Sequence, residues 1–526
     1  MRLARIILPG LIVILVITAC TAPGLSQKPP GGGTFVVALD SSPLTLDPAQ
    51  VTDLSSARVT TQIYETLVEF NPRTGGVSPL LAQSWAVSSD GRVWTFTLRS
   101  GVTFHDGTPL TADAVVQNFN RWLDTSNPYH HGDFDYWQIL FGGFRGSGSI
   151  VRSVERADDL RLRVTLEQPY GPLLSALSMF PFAIVSPTAM QKDVDELRRR
   201  PVGTGAFRLA EQRSDGEIIL AANAQYWGQK PQLDGVQFNV MLSDVARLNA
   251  LRDGKVQLVE GGDAASVTLA KKMAGVKVLL RPSESDLYLS INNRADPFAD
   301  PLMRQALAYA INRHAIIDKG YGGLAQTADG FAPPGIGAPN TEPADMYNVA
   351  TAKRLMSDAG YGGGTMTQLW YPAKPRRFLP NPQAVAQSIA KDLEAVGFLV
   401  SVNAADWVTF QRRTLDGTYP LSIQGWTGDS PDVDSFLTPL FASDTATRST
   451  GYSNPQLKTT LDQARAESDP AARTPLYGQA EKTIADDMPR IPLVHPQVPI
   501  LVSGKVQGYV PSPLGAEPYR EVSLTR

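Results

Sequence analysis

Residues 64–122 read YETLVEFNPRTGGVSPLLAQSWAVSSDGRVWTFTLRSGVTFHDGTPLTADAVVQNFNRW. Within this stretch Trp94, Phe96 and Leu98 alternate with Thr95 and Thr97. Side chains two residues apart share one face of a strand, so the pattern predicts a strand with one face buried. Ser89-Asp90-Gly91 before it and His105-Asp106-Gly107 after it have the composition of tight turns. Outward from this block the same alternation recurs at Leu160, Leu162, Val164 and Leu166, and at Val236, Phe238 and Val240. Helical spacing replaces it behind Asp300-Pro301, an N-cap followed by a first-turn proline, where Met303, Ala306, Leu307, Ala310 and Ile311 line one side. Val385, Ile389, Leu393 and Val396 predict a second helix, stopped at Gly397 before the apolar strand 398–402. Two more helices are predicted over 455–467 and 470–487, and the class is mixed α and β. In Pro201-Val202-Gly203-Thr204-Gly205 the glycines permit backbone conformations closed to other residues, in a loop leading into a strand at Phe207. That loop lacks the Lys-Ser/Thr ending of a phosphate-binding loop.

The N-terminus sets the compartment. Arg2 and Arg5 precede an apolar run over 6–17, broken only by Pro9 and Gly10, and the run ends Ile17-Thr18-Ala19-Cys20. This is a secretory signal layout over 1–19, too short for the ~20 residues of a spanning helix. The string at its end resembles the lipobox of bacterial lipoproteins. That resemblance implies cleavage before Cys20, the only cysteine, and lipidation of its sulfur. Acyl chains then hold the protein at a membrane without a span. Residues 20–33, rich in Pro and Gly, read as the lipidated cysteine and a flexible tether.

The remaining composition excludes more than it identifies. With 43% hydrophobic and 19% charged residues and a formal net charge of −3, the chain is globular and offers no nucleic-acid surface. At ~150 residues per domain the length suggests about three. No Gly-x-Ser-x-Gly, His-Glu-x-x-His or phosphate-binding loop is present, and no cysteine is left to serve as nucleophile. His130-His131 reads as part of a polar loop, and His314 falls in the helix that follows Pro301. Asp429, Asp432 and Asp434 do not have the spacing of a calcium loop. Binding is favoured over catalysis, with no enzyme activity, cofactor or metal expected.

Several ordered stretches together resemble the family 5 extracellular solute-binding proteins of ABC importers, the peptide and nickel class. In residues 64–122 the positions that match are Trp85, Gly91, Trp94, Phe96, Leu98, Arg99, His105, Asp106 and Gly107, while Ala114 stands where the family often shows Asp. Residues 201–209, 223–238, 300–316 and 352–361 continue the resemblance over nearly the whole mature chain. It implies a bilobed, hinged, periplasmic-binding-protein-like fold with an inserted domain. The first lobe would comprise 34–63, 186–285 and 491–526, the inserted domain 64–185, and the second lobe 286–490.

The resemblance also implies a site. GWTGDSPDVDSF at 425–436 is similar to an element of dipeptide- and oligopeptide-binding members whose aspartate holds the ligand's α-ammonium, which falls on Asp429. Read without the resemblance, Asp429 is a turn residue before Ser430-Pro431. PRRFLPNPQAVAQSIAKDLEAVGFLVSV at 375–402 is similar to the segment carrying a carboxylate-binding arginine, with Arg376 and Arg377 joint candidates. A guanidinium fork matches a carboxylate. Trp407 and Trp426 resemble the cleft aromatics, and Trp370 is either a third or a buried structural residue. The function implied is a monomeric, lipid-anchored binder delivering short peptides to ABC permease subunits. A nickel or metallophore binder, or an exported enzyme or sensor, is the alternative. The segments mapped to the cleft hold no histidine, which favours peptide.

Overall fold

The computed structural model describes residues 32–214, 216–336 and 346–525; the signal segment, Cys20 and nearly all of the tether lie outside the described residues. Alternation along Thr34–Leu39 organises the first lobe. Phe35, Val37 and Leu39 enter one apolar core while Ala38 enters another on the opposite face. A strand buried on both sides must be central, and it pairs in parallel with both Gly235–Val240 and Leu258–Glu260. Around it lies a seven-stranded sheet in the order Val276–Arg281, Val498–Ser503, Leu258–Glu260, Thr34–Leu39, Gly235–Val240, Ile218–Ala222, Phe207–Gln212.

The second lobe is built on a six-stranded sheet whose key strand, Ser285–Ile291, is buried throughout and antiparallel to both neighbours, Leu421–Thr427 and Arg490–Pro496. Ala325–Thr327 lies beyond Arg490–Pro496, and Thr365–Pro372 and Phe398–Ala405 extend the other side. The helix Pro301–Ala310 starts where expected, with the Asp300 carboxylate accepting from Leu302 N, and Met303, Ala306, Leu307 and Ala310 are buried. It is shorter than the sequence pattern suggests. Asn312 caps a separate turn, Arg313–Ile316, so His314 belongs to that turn and is exposed. Pro382–Val396 ends as expected at Gly397, with φ +114°, and Phe398–Ala405 follows. The predicted helix pair is present as Pro455–Ala466 and Pro470–Asp487.

Residues 82–166 form a third, four-stranded antiparallel sheet: Ala82–Val87, Val93–Leu98, Arg161–Leu166, Val151–Arg156. Trp94, Phe96 and Leu98 are buried as their alternation requires. Phe119, Trp122, Trp137 and Phe141, from helices Ala112–Leu123 and Asp135–Phe141, pack with Phe182 in the same core. Glu65 anchors this unit to the first lobe. Its buried carboxylate accepts from Thr204 Oγ1 (2.7 Å), Tyr226 OH (2.6 Å) and Trp227 Nε1 (2.7 Å). Gly203 and Gly205 are needed here for room. Neither has positive φ, contrary to the expectation of special backbone angles, but a Cβ would lie 2.3 Å from Ile63 O and 2.5 Å from Gln62 O.

The chain passes between the two large sheets at 282–284 and at Gln497. Arg490–Pro496, placed by the sequence reading with the first lobe from 491 onward, pairs instead with Ser285–Ile291; the strand runs unbroken past 491, so the change of lobe falls at Gln497. A buried quartet borders this junction. Arg281 Nη1 is 2.8 Å from Glu260, its Nη2 is 2.7 Å from Glu517, and Arg58 pairs with the same Glu260.

Candidate functional site

The strand Leu421–Thr427 delivers Trp426 and then breaks into the segment Gly428-Asp429-Ser430-Pro431 ahead of helix Asp434–Phe441. That segment is locked from both sides. Trp426 Nε1 donates to Ser435 O (2.7 Å), Ser435 Oγ donates to Ser430 O (2.8 Å), and Gly428 N donates to Glu284 O across the junction (3.1 Å). Of the three aspartates, two are consumed structurally. Arg473 binds Asp432 through both terminal nitrogens (2.8 and 2.7 Å), with Ser175 Oγ adding a third donor. Arg465 binds Asp434 (2.7 Å). Asp429 has no hydrogen bond or ion pair among the described residues, and partial burial raises its proton affinity above the ordinary carboxylate range.

Beside this loop a cavity of about 600 Å³ opens between the lobes. Thr52 and Asp53 line it from the first lobe, Tyr136 from the inserted domain, Glu284 from the junction, and Arg377, Gly428 and Ser430 from the second lobe. Asp429 stands between two of these lining residues. The hydroxyl of Tyr136 is pushed up by burial first and then by Glu284 and Asp429, and pulled down by Arg377, so all four groups share one electrostatic neighbourhood.

The two candidate arginines diverge. Arg377 reaches the cavity and pairs with Glu284, Nη2 to Oε1, at 2.6 Å. Arg376 turns the other way and stacks on Trp407, its guanidinium 4.0 Å from the ring centroid. Backbone hydrogen bonds between Arg376 and Leu379 close the tight loop that holds both. Trp407 and Trp426 line a second cavity of about 740 Å³, wholly within the second lobe, with Tyr288, Phe378, Phe410 and Arg490. Gly425 faces that cavity while Thr427 and Gly428 face the first, so one strand end separates the two spaces. Trp370 lines neither of them. It stacks on Tyr419 (4.5 Å between centroids), Tyr419 contacts Phe410 and Phe410 contacts Trp407, giving an aromatic ladder that ends at Arg376.

Glu284 and Tyr136 are the groups that sequence reasoning missed. Neither lies in a recognisable motif, and both enter only because distant segments converge. His130 and His131 are engaged separately, His130 Nδ1 with Arg121 O (2.7 Å) and His131 Nδ1 with Asp195 (3.1 Å). No cluster of three metal-ligating side chains occurs among the described residues, and no helix there is long and apolar enough to cross a membrane.

Comparison with known proteins places this geometry in context. The dipeptide-binding protein of Escherichia coli is 32% identical, over 93% of this chain and 94% of its own length. Heme-binding protein A of Haemophilus influenzae is 31% identical, over 94% and 93%. Among solved structures, HbpA2 from Haemophilus parasuis superposes with a TM-score of 0.88 at 29% identity, covering 94% of this chain and all of that one. The unliganded open form of the murein tripeptide-binding protein MppA gives 0.84 at 25% identity (94% and 97% covered). DppA from Helicobacter pylori in complex with the peptide STSA gives only 0.69 at 31% identity (94% and 99% covered). The family model described as bacterial extracellular solute-binding proteins, family 5, middle part, matches residues 76–448, and the chain belongs to that family.

Proposed function

We propose that this protein is the lipid-anchored substrate-binding subunit of an ABC importer, capturing short peptides between its lobes and presenting them to the membrane permease. Asp429 carries the reading. Among the described residues it is the one aspartate of its segment without a hydrogen bond or ion pair, it stands between Gly428 and Ser430, which line the interlobe cavity, and burial disfavours leaving its charge unpaired. A peptide α-ammonium would supply a partner cation through a charge-assisted bond. The names of the dipeptide- and tripeptide-binding relatives support the class, and Trp407 and Trp426 offer rigid aromatic area for peptide side chains in the neighbouring cavity. Closure about the 282–284 and 497 crossings would bury the peptide and alter the outer surface seen by a permease. Export follows from the family, and the anchor from Cys20 behind the signal segment.

Calorimetry on four combinations tests the site. Asp429→Asn is expected to cost a peptide with a free amino terminus about 2–5 kcal/mol of affinity. Acetylating that terminus costs the wild type similarly but the variant little, because the charge pair is already gone. Additive losses, or no effect of acetylation, remove Asp429 from this role. For the anchor, Cys20→Ser is expected to move the protein from the membrane to the soluble fraction; a variant still membrane-bound after a high-salt wash would overturn the lipid reading.

A further inference from the structure

The guanidinium of Arg377 is already matched from within the protein. Its partner, the Glu284 carboxylate, is the deeper of the two, 21% exposed against 53%, and sits on a junction segment tied by its own carbonyl to Gly428 N. Arg281, Arg58 and Glu260 also act on Glu284, but these three are paired with one another and with Glu517. Arg377 is therefore the direct ion-pair partner of Glu284 among the described residues. Across the cavity, Asp53 uses Oδ1 to cap its helix at Ser56 N while its buried Oδ2 has no hydrogen-bond partner among the described residues. Two carboxylates, those of Asp53 and Glu284, thus line a space faced by one guanidinium, and Asp429 stands between two further lining residues, Gly428 and Ser430.

We propose that Glu284 is a specificity-determining residue: it occupies Arg377 in place of a ligand carboxylate, so the cleft selects the ligand's ammonium and does not require a free C-terminal carboxylate. The inference rests on the peptide reading above and names its substrate class as peptides whose C-terminus is amidated or continues beyond the cleft. A ligand carboxylate approaching Arg377 has two routes. It displaces Glu284, leaving a largely buried charge unpaired, or it shares the arginine and meets the repulsion of Glu284. A C-terminal amide does neither, and it can still accept or donate hydrogen bonds.

The test titrates one dipeptide and its C-terminal amide into the wild type and into Glu284→Gln. The wild type is expected to bind the amide at least as tightly as the acid. In the variant Arg377 is freed, and the ratio is expected to reverse in favour of the acid by tenfold or more. A wild type that prefers the acid tenfold or more overturns the proposal without recourse to any variant, and so does an acid-to-amide ratio unchanged in a folded Glu284→Gln. Failure of the peptide reading is distinguishable: neither peptide then binds the wild type, and both proposals fall together.

Discussion

At the scale of single residues, burial decides which acids hold structure and which wait for a partner. Asp432 and Asp434 are neutralised by Arg473 and Arg465, whereas Asp429 is not. Asp286, one strand residue beyond the junction, shows the same physics in a structural setting. It is fully buried with His495 Nδ1 at 2.8 Å, and burial pushes its carboxyl from 3.8 up to about 6 against the opposing pull of His495. A raised folded-state value means that the folded protein holds this proton where the unfolded chain has lost it. Stability from this group is therefore full below about pH 4 and is lost as pH rises through about 6. Asp286→Asn is expected to remove that slope, gaining on the order of 2 kcal/mol over wild type at pH 7.5 relative to pH 4. Thermal unfolding at the two pH values checks it, and parallel profiles would refute it. In the sequence Asp429 is a candidate only through its motif, and nothing there separates Arg376 from Arg377. Adjacent residues in an extended loop face opposite ways, and their surroundings differ through Trp407 on one side and Glu284 on the other, neither of them near in sequence.

At the scale of elements, the strand end Gly425–Thr427 sets the geometry of both cavities. A Cβ at Gly425 would lie 2.2 Å from Phe378 Cδ2 and 2.8 Å from Asp286 O, closer than any side chain tolerates. Because Phe378 follows Arg377 directly, Gly425→Ala is expected to displace the arginine loop. The variant should lose about 1–3 kcal/mol of stability and bind peptide more weakly, as read by unfolding and calorimetry on one preparation; unchanged affinity would show that the loop does not depend on this packing. The regular elements themselves were largely legible. Period-two alternation at 93–98 and the Asp300 and Gly397 caps are local signals, and the strands and helices stand where those signals point. What failed was also local in cause. The helix after Pro301 stops before His314 because Asn312 offers a competing cap, and the strand Arg490–Pro496 belongs to the second lobe through pairing that its own sequence does not encode.

At the scale of the whole molecule, two sheets joined by short crossings hold a cavity between them. The buried quartet Arg58–Glu260–Arg281–Glu517 ties the first-lobe side of the crossings together. Ligand bound on both sides of the cleft stabilises the closed state by its differential affinity for that state. Bilobed architecture was legible from the ordered motifs; the position of the crossings was not, since only strand pairing reveals it. Small-angle scattering of the wild type, with a free-amino peptide, with the same peptide acetylated, and with Asp429→Asn in place of wild type, tests closure and its trigger together. The account predicts a smaller radius of gyration with the free-amino peptide alone, at a concentration where the acetylated form and the variant show none. A radius unchanged by a peptide that calorimetry shows to be bound, or an equal change with the acetylated peptide, would contradict it.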